Sequence, residues 1–560
     1  MMFIRDIIPT ISNYCSIILA CIATRSIKSA MSVHGVLVKT GLSCDTFAIN
    51  RLLHAYCKCD SVGEARKMFD EIPMKNVRSW NAMVSAYSQT GEFSKALELF
   101  SRMPERDIVC CNSLISGLSH CGLYRESLKL FQDFQKDCDL VVMDEYTFVD
   151  VVGSCARLGA LKLVRQVHGV GVAVGLDWNG ITCNVLIDAY GKCCDSGASY
   201  KIFIQMSDED RDVVSWTSVI VAYTRANRLD DAYEVFDLMP HRNTVSWTAM
   251  IAGYAQSGKG DEALDLFRQM NEESVIPSPL TFVSVLGACA DMAVIERGKQ
   301  IHGYITRTIS NTDMLNVYVS NALVDMYCKC GDMNSAEVIF KEMPHKDIVS
   351  WNSMITGYSQ NGFGHKALFL LKEMIEENIQ PNHVTFLGVL SACSHTGLGN
   401  EALDIVDLMV NHHNVVLTPD HFAILIDALG RRNRLQEATD LIQRCPDKSH
   451  HVAVWGSLLA SSRVHGNVKI ARRAADALLE LEPWNVGRYV MMSNTYAAAN
   501  KWHDSEEVRI QLEERALAKD VGNSSIEVKN ETHNFAAKDR SHHQMDDIYE
   551  LVKSLTIHMK

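Results

Sequence analysis

Eight times between residues 46 and 382, an Asn or Thr is followed 26 to 32 residues later by an Asn, Asp or Ser. The pairs are Asn50 with Asn76, Asn81 with Asp107, Asn112 with Asp144, Asn184 with Asp212, Thr217 with Asn243, Thr248 with Ser278, Asn321 with Asp347, and Asn352 with Asn382. Such side chains do hydrogen-bonding chemistry rather than covalent chemistry. An ionised Asp only accepts, an Asn donates and accepts, and a hydroxyl does either. A series of these pairs can distinguish ligand elements by which of their edge atoms carry hydrogen. Patterns for catalysis or metal binding are missing from the sequence. None of the 21 histidines has Glu two positions later, and the 18 cysteines include no C-x-x-C.

The pairs recur because the chain repeats itself. Ser79–Met103 (SWNAMVSAYSQTGEFSKALELFSRM), Ser215–Met239, Ser246–Met270 and Ser350–Met374 are near-copies. A period of 31 to 38 residues marks a stacked repeat array. Within 348–382, Trp351, Met354, Ile355 and Tyr358 fall at i, i+3, i+4 and i+7, one face of a helix. Asn361-Gly362 breaks that helix in the manner of a left-handed cap. Ala367, Leu370, Leu371 and Met374 start a second stripe. Each unit is thus a helical hairpin that buries its stripes against the next hairpin, which predicts an all-α solenoid.

This template gives units at 11–45, 46–76, 77–107, 108–144, 145–179, 180–212, 213–243, 244–278, 279–316, 317–347, 348–382, 383–420 and 421–451. Two further hairpins come after them at 452–486 and 487–520. Short units end Met-Pro-x-(Lys/Arg)-(Asn/Asp), as at Met103–Asp107 and Met343–Asp347. Long units carry x-Cys-(Ala/Ser), as at Cys155, Cys289 and Cys393, and His-Gly in two cases, at His168-Gly169 and His302-Gly303. Extra residues fall in 108–144, 180–212 and 279–316.

Composition limits the function. Hydrophobic residues at 47% and charged residues at 22% describe a folded chain, and 11 prolines leave no long linker. The net charge of −13 excludes non-specific, salt-driven phosphate binding over the whole surface. It leaves room for a local groove that reads neutral edges. The apolar run 17–23 is stopped by Thr24 and Arg25, too short to span a bilayer, so no membrane partner is expected. Residues 1–10 form a short segment read as the remnant of a targeting sequence. Cys57/Cys59 and Cys328/Cys330 recur as Tyr-Cys-Lys-Cys, and repeat equivalence marks the cysteines as reduced, buried residues rather than ligands. His412-His413 and His542-His543 read as solvated loop residues.

The (Ser)-Trp-(Asn/Thr)-x-(Met/Val)-Ile-x-(Gly/Ala)-Tyr helix followed by Ala-Leu-x-Leu-Phe-x-x-Met resembles pentatricopeptide repeats, and the mix of unit lengths resembles the plant PLS subfamily. The Trp-x-x-Leu-Gly signature of tetratricopeptide repeats is absent. Val454-Trp455-Gly456-Ser457-Leu458-Leu459, His465-Gly466-Asn467 and Leu479–Pro483 resemble that family's E1 motif, covering 452–486. Tyr489–Ala499 resembles E2, covering 487–520. Ser525–Val528, Asp539–His542 and Ile548-Tyr549 resemble an E+ extension at 521–560, although Val521–Ser525 lacks the usual Pro and Trp. The resemblance implies a right-handed superhelix of about 13 repeats over 11–451. Members with a DYW domain carry a zinc cytidine deaminase built on H-x-E and C-x-x-C. That signature is absent, so no enzyme activity, metal or cofactor is expected of this polypeptide.

The resemblance also implies that the fifth and last residues of a unit read one RNA base. Uracil and guanine present an imino N–H, which suits Asp, whereas cytosine and adenine present a bare ring nitrogen, which suits the Asn amide. By resemblance, fifth-position Asn selects pyrimidines and Thr selects purines. Asn81/Asp107, Asn112/Asp144, Asn184/Asp212 and Asn321/Asp347 then read U. Thr217/Asn243 reads A, Thr248/Ser278 a purine, and Asn50/Asn76 and Asn352/Asn382 a pyrimidine. Val149, Val283 and Leu387 hold the fifth position of long units and leave their bases unspecified. With the first unit at the RNA 5′ end, the expected target is 5′-Y-U-U-n-U-A-R-n-U-Y-n-n-n-n-n-C, the last C being edited. Phe47, Arg78, Val109, Ile181, Val214, Val245, Tyr318 and Val349 at the second position flank the bases. Trp80, Trp216, Trp247 and Trp351 belong to the apolar stripe and are expected in the hairpin core.

The function so implied is site recognition for C-to-U editing of organellar RNA, with a DYW-type deaminase acting in trans. Multiple organellar RNA editing factors are expected on the long units. The expected location is the mitochondrion, with the chloroplast as alternative. Two other readings stay open: a splicing or stability factor for organellar RNA, and a protein-binding helical scaffold, which the negative charge favours.

Overall fold

A computed structural model describes residues 11–40, 45–59, 61–72, 74–104, 107–137, 144–176, 178–308, 316–445, 452–514, 523–528, 531–536 and 545–558. The 1–10 segment, the Asp539–His542 and His542-His543 sequences and the insertions at 138–143 and 309–315 lie outside the described residues.

Unit 77–107 illustrates the repeat. Asn76 ends in extended backbone, and its Oδ1 accepts from Ser79 N at 3.0 Å, satisfying one of the free N–H groups that open a helix. The first helix, Val77–Gln89, buries Trp80, Met83, Val84 and Tyr87. Gly91 then takes φ +78°, a left-handed turn that glycine adopts without a Cβ penalty. The second helix, Phe93–Arg102, buries Ala96, Leu99 and Phe100. Elsewhere the same turn is made by Gly122, Gly159, Gly331 and Gly362, and by Cys194 and Asn227. Unit length is set by the second helix. It runs 10 residues in Phe93–Arg102 and Met333–Glu342, and 13 in Leu161–Ala173 and Gly364–Glu376. The extra residues of 180–212 form a turn in which Ser207 Oγ donates to Asp210 at 2.6 Å.

The helices form two compact bodies, residues 1–257 and 258–560. Within each, every first helix lies against its own second helix or that of the preceding unit, and against the first helix of the following unit. Two side-chain devices make these junctions. The repeat tryptophans meet a phenylalanine of the preceding unit edge-on: Phe69–Trp80, Phe203–Trp216, Phe236–Trp247 and Phe340–Trp351, with centroids 4.7 to 5.2 Å apart. Trp80, Trp247 and Trp351 are buried and Trp216 is half-buried, so the tryptophans pack the core. Small residues let first helices approach. A Cβ on Gly357 would stand 2.2 Å from Cys328 Sγ, and one on Gly253 2.4 Å from Thr224 Cγ2. Cys57, Cys155, Cys328 and Cys393 are buried thiols, each pushed up to about 12 by burial, and therefore unreactive.

The hairpins Val452–Val464 with Val468–Leu481 and Val486–Ala498 with Trp502–Glu514 continue the array. C-terminal to them the helical template gives way to a small element that helical periodicity did not predict. Asn523–Val528 and Glu531–Ala536 pair antiparallel, with Ile526 opposite His533, and a helix, Met545–His558, comes after them. Among the described residues no helix is long and apolar enough to cross a membrane.

Candidate nucleic-acid interface

From unit 11–45 to unit 348–382 the last residue of one unit is the N-cap of the next unit's first helix, so the fold itself places it at a helix start. The boundary expected at 420/421 departs from this, because the helix Pro419–Arg431 is capped by Thr418 and begins inside unit 383–420. Asp107 accepts from Cys110 N, Asp144 from Thr147 N, Asp212 from Ser215 N, Asn243 from Val245 N and Ser246 N, Ser278 from Thr281 N, Asp347 from Ser350 N, and Asn382 from Thr385 N. Capping needs one acceptor oxygen. Asp, Asn and Ser all provide it, which frees their chemical difference for another use.

The fifth residue lies one turn into the preceding first helix and reaches that cap across the unit. Asn81 Nδ2 donates to Asp107 Oδ2 at 2.7 Å, and Asn112 Nδ2 to both Asp144 oxygens at 2.9 and 2.8 Å. Asn184 donates to Asp212 at 3.2 Å, Asn321 to Asp347 at 3.1 Å, and Asn352 to Asn382 at 3.4 Å. The structure thus joins five of the eight pairs directly. The threonines behave differently, because Thr217 Oγ1 donates to Val213 O at 2.7 Å and Thr248 Oγ1 to Thr244 O at 2.6 Å, each back along its own helix. Asn50 and Asn76 share a cleft without a direct bond between them among those described.

The amide carbonyls divide into two groups. Asn352 Oδ1 accepts from Thr385 Oγ1 at 2.7 Å, and Asn112 Oδ1 accepts from Thr147 Oγ1. The Oδ1 atoms of Asn81, Asn184 and Asn321 are buried and have no partner among the described residues.

Carboxylate electrostatics arise from the same contacts. Burial opposes ionisation of Asp212, but bonds from the backbone and hydroxyl of Ser215, from Asn184 and from Val214 N outweigh it and hold the carboxyl below its ordinary value. Asp347 is held down in the same way by Ser350, Asn321 and Val349 N, again against burial. Both are acceptors at neutral pH.

Beside each pair stands the second-position side chain. Phe47, Val109, Ile181, Val214, Val245, Tyr318 and Val349 are all exposed, from 48% for Phe47 to 69% for Tyr318, as is Arg78. Apolar side chains at one repeated position on an otherwise polar face are a surface for flat apolar ligands. A cleft of about 830 Å³ gathers Phe47, Asn50, Asn76, Arg78, Asn81, Asp107 and Val109. The next, about 680 Å³, gathers Val109, Asn112, Asp144 and Tyr146. Arg51 lies over the Phe47 ring at 5.3 Å and, with Arg78, gives the first cleft positive charge that the net charge of the chain conceals. A separate cleft of about 780 Å³, lined by Phe340, Trp351, Lys366 and Glu373, contains none of the pair residues.

Reasoning from sequence missed Tyr146 and Leu280, the second residues of two long units, which are 76% and 67% exposed. The second-position rule would have found both had it been applied to units with an aliphatic fifth residue.

Comparison with known proteins identifies the repeat. PPR repeat matches cover 47–77, 78–108, 109–138, 181–210, 214–244, 318–348 and 384–413, and matches to the PPR repeat family cover 242–291 and 346–395. An E motif match covers 465–527. Pentatricopeptide repeat-containing protein At2g22070 of Arabidopsis thaliana is 38% identical over 98% of this chain and 69% of its own length. At1g11290, chloroplastic, is 34% identical over 99% of this chain, which spans 60% of that relative's length. The putative pentatricopeptide repeat-containing protein At3g13770, mitochondrial, is 34% identical over 98% of this chain and 76% of its own. Among solved structures, the pentatricopeptide repeat protein PPR10 from maize is similar at 18% identity, covering 91% of this chain and 74% of that one, with a TM-score of 0.46. With repeat matches over more than half of its residues and relatives more than 30% identical along nearly its whole length, this chain belongs to the PPR repeat family and carries an E motif.

Proposed function

We propose that this protein is a sequence-specific single-stranded RNA binder of the PLS type that selects a site for organellar C-to-U editing, one base per short or standard unit. The observation that carries the reading is the cross-unit bond from a fifth-position Asn to the next helix's cap, as in Asn81 with Asp107, set beside an exposed second-position side chain. A base inserted there meets an apolar or aromatic flank and a directed acceptor or amide. The E motif at 465–527 supports the editing role, and we assign the deamination to a DYW-type deaminase acting in trans. Multiple organellar RNA editing factors are assigned to the long units. Relatives whose names read chloroplastic and mitochondrial support an organelle, and we assign the mitochondrion.

The test is binding of the purified chain to 5′-Y-U-U-n-U-A-R-n-U-Y-n-n-n-n-n-C RNA and to the same RNA with C in place of the U opposite Asn321 and Asp347, at one fixed salt concentration. A preference for the U-containing RNA supports the reading. Equal binding overturns the base assignment, and no binding to either moves the protein-scaffold reading, which the net charge of −13 favours, to first place.

A further inference from the structure

Long units carry Val149, Val283 and Leu387 where other units carry a polar fifth residue, so under the proposed base reading they select no base. Their third residue is in each case a threonine: Thr147, Thr281 and Thr385. In the units next after 77–107, 180–212 and 317–347 the same position holds Cys110, Ser215 and Ser350.

The difference is visible in the bonding of the preceding Asn. Asp144 only accepts, so the Asn112 amide must turn its nitrogen toward it, and Oδ1 faces the other way. There the Thr147 hydroxyl donates to it, while Thr147 N caps onto Asp144 Oδ1 at 2.8 Å. Asn352 is held likewise, with Nδ2 on Asn382 and Oδ1 on the Thr385 hydroxyl at 2.7 Å. Both ends of these two amides are tied, which holds each in one orientation. Where the third residue is serine, the hydroxyl bonds to the cap carboxylate and not to the preceding Asn. Ser215 Oγ donates to Asp212 at 3.0 Å and Ser350 Oγ to Asp347 at 2.9 Å. Asn184 Oδ1 and Asn321 Oδ1 are then buried without a partner among the described residues, as is Asn81 Oδ1 ahead of Cys110. The threonine hydroxyls also reach the cap, Thr147 Oγ1 lying 2.7 Å from Asp144 Oδ1 and Thr385 Oγ1 3.1 Å from Asn382 Oδ1, so each sits between the cap oxygen and the Asn carbonyl, in the restricted χ1 that the extra methyl imposes.

We infer that Thr147 and Thr385 are positioning residues for base recognition: the long units 145–179 and 383–420 read no base of their own but each completes the site of the unit before it. The inference rests on the base-reading proposal. It assigns sharper discrimination to Asn112/Asp144 than to Asn321/Asp347, because an amide tied at both ends cannot rotate to suit the wrong base.

The experiment compares RNAs carrying U or C opposite Asn112/Asp144, and separately opposite Asn321/Asp347, for the unmodified chain, Thr147→Val and Ser350→Thr. The readout is the U-to-C affinity ratio at each position, which a general loss of stability does not move. Thr147→Val keeps the backbone cap and is expected to lower the ratio at its own position about fivefold, the factor of one ordinary hydrogen bond, and to leave the other unchanged. Ser350→Thr is expected to raise the ratio at the Asn321/Asp347 base, and it carries the test if Thr147→Val fails to fold. Discrimination by the unmodified chain together with unchanged ratios in both variants would overturn this inference alone. Absence of discrimination by the unmodified chain at both positions would overturn it together with the base-reading proposal.

Discussion

Asn81 Nδ2 and Asp107 Oδ2 are 2.7 Å apart although 26 residues separate them in the chain. Asp107 Oδ1 at the same time caps the helix beginning at Ile108, through Cys110 N. One carboxylate therefore does two jobs that the fold keeps on separate oxygens. This explains why the last residue of a unit can vary among Asp, Asn and Ser without loss of the hairpin, since all three are good caps. Specificity is free to change while the scaffold is not.

At Asp347 both jobs fall on Oδ1, which accepts from Ser350 N and from Asn321 Nδ2, and an amide oxygen can keep that place, so Asp347→Asn is a clean exchange. Asn caps as well as Asp, so thermal stability should stay within about 0.5 kcal/mol. The preference at the base read with Asn321 should move from U toward C by about five- to tenfold, because an amide nitrogen replaces an acceptor-only oxygen. Asp347→Ala removes the cap as well and should cost about 1 kcal/mol. Urea melts and paired RNA titrations measure both quantities. A U preference that persists in Asp347→Asn would sink the role of the last residue.

Much of this was legible in the sequence, because repetition makes one unit's pattern testable against the others. Trp351, Met354, Ile355 and Tyr358 marked the first helix, Gly362 its end, and the recurrence of Asn with Asp the pairs. The role of Thr147 was not legible. Threonine at a third helical position says little alone, and its hydroxyl reaches Asn112, 35 residues earlier, only through the register of adjacent units. The strands Asn523–Val528 and Glu531–Ala536 were hidden for another reason. Each is six residues long, too short for alternation to stand out beside thirteen-residue helical stripes.

Acid should weaken the fold through two named caps. The Asp212 and Asp347 carboxyls lie below their ordinary value of 3.8 in the folded chain. A lowered folded pKa means the unfolded chain takes up protons first on acidification. The stabilisation is fully present above the ordinary carboxylate range and is lost as pH falls through it toward the folded values. Urea midpoints measured from about pH 6 down to about pH 3 should fall more steeply for the unmodified chain than for Asp212→Asn with Asp347→Asn. Parallel curves would show that these two caps contribute nothing to acid sensitivity.

Gly357 and Cys328 test the junction between neighbouring first helices. An added Cβ at Gly357 would stand 2.2 Å from Cys328 Sγ and 2.7 Å from its Cβ, a distance at which one helix must move. Gly357→Ala should cost about 1–3 kcal/mol. Adding Cys328→Ala removes the sulfur and should recover a share of that loss, giving a non-additive cycle, which thermal melts would measure. Strict additivity of the two changes would mean the helices separate without consequence for their packing.

Trp247 and Tyr318 separate core from ligand surface. Trp247 is fully buried and meets Phe236 edge-on at 4.8 Å, with Arg242 over the Phe236 ring at 4.7 Å. Trp247→Ala should destabilise by about 3–5 kcal/mol, as large aromatic truncations in a core do. In whatever fraction remains folded, U-to-C preference at the Asn321/Asp347 base should be intact. Tyr318 is 69% exposed at the second position of its unit, with nothing packed on its outer face among the described residues. Tyr318→Ala should change stability by less than about 0.5 kcal/mol. Its RNA affinity should nevertheless fall by about 1–3 kcal/mol, the contribution of one base stacked on an aromatic ring. Thermal melts and RNA titrations on the two variants give four numbers with opposite expected patterns. An exposed Tyr318 that can be removed without loss of RNA affinity would mean the bases lie on some other face of the array, and the second-position side chains would need a different ligand.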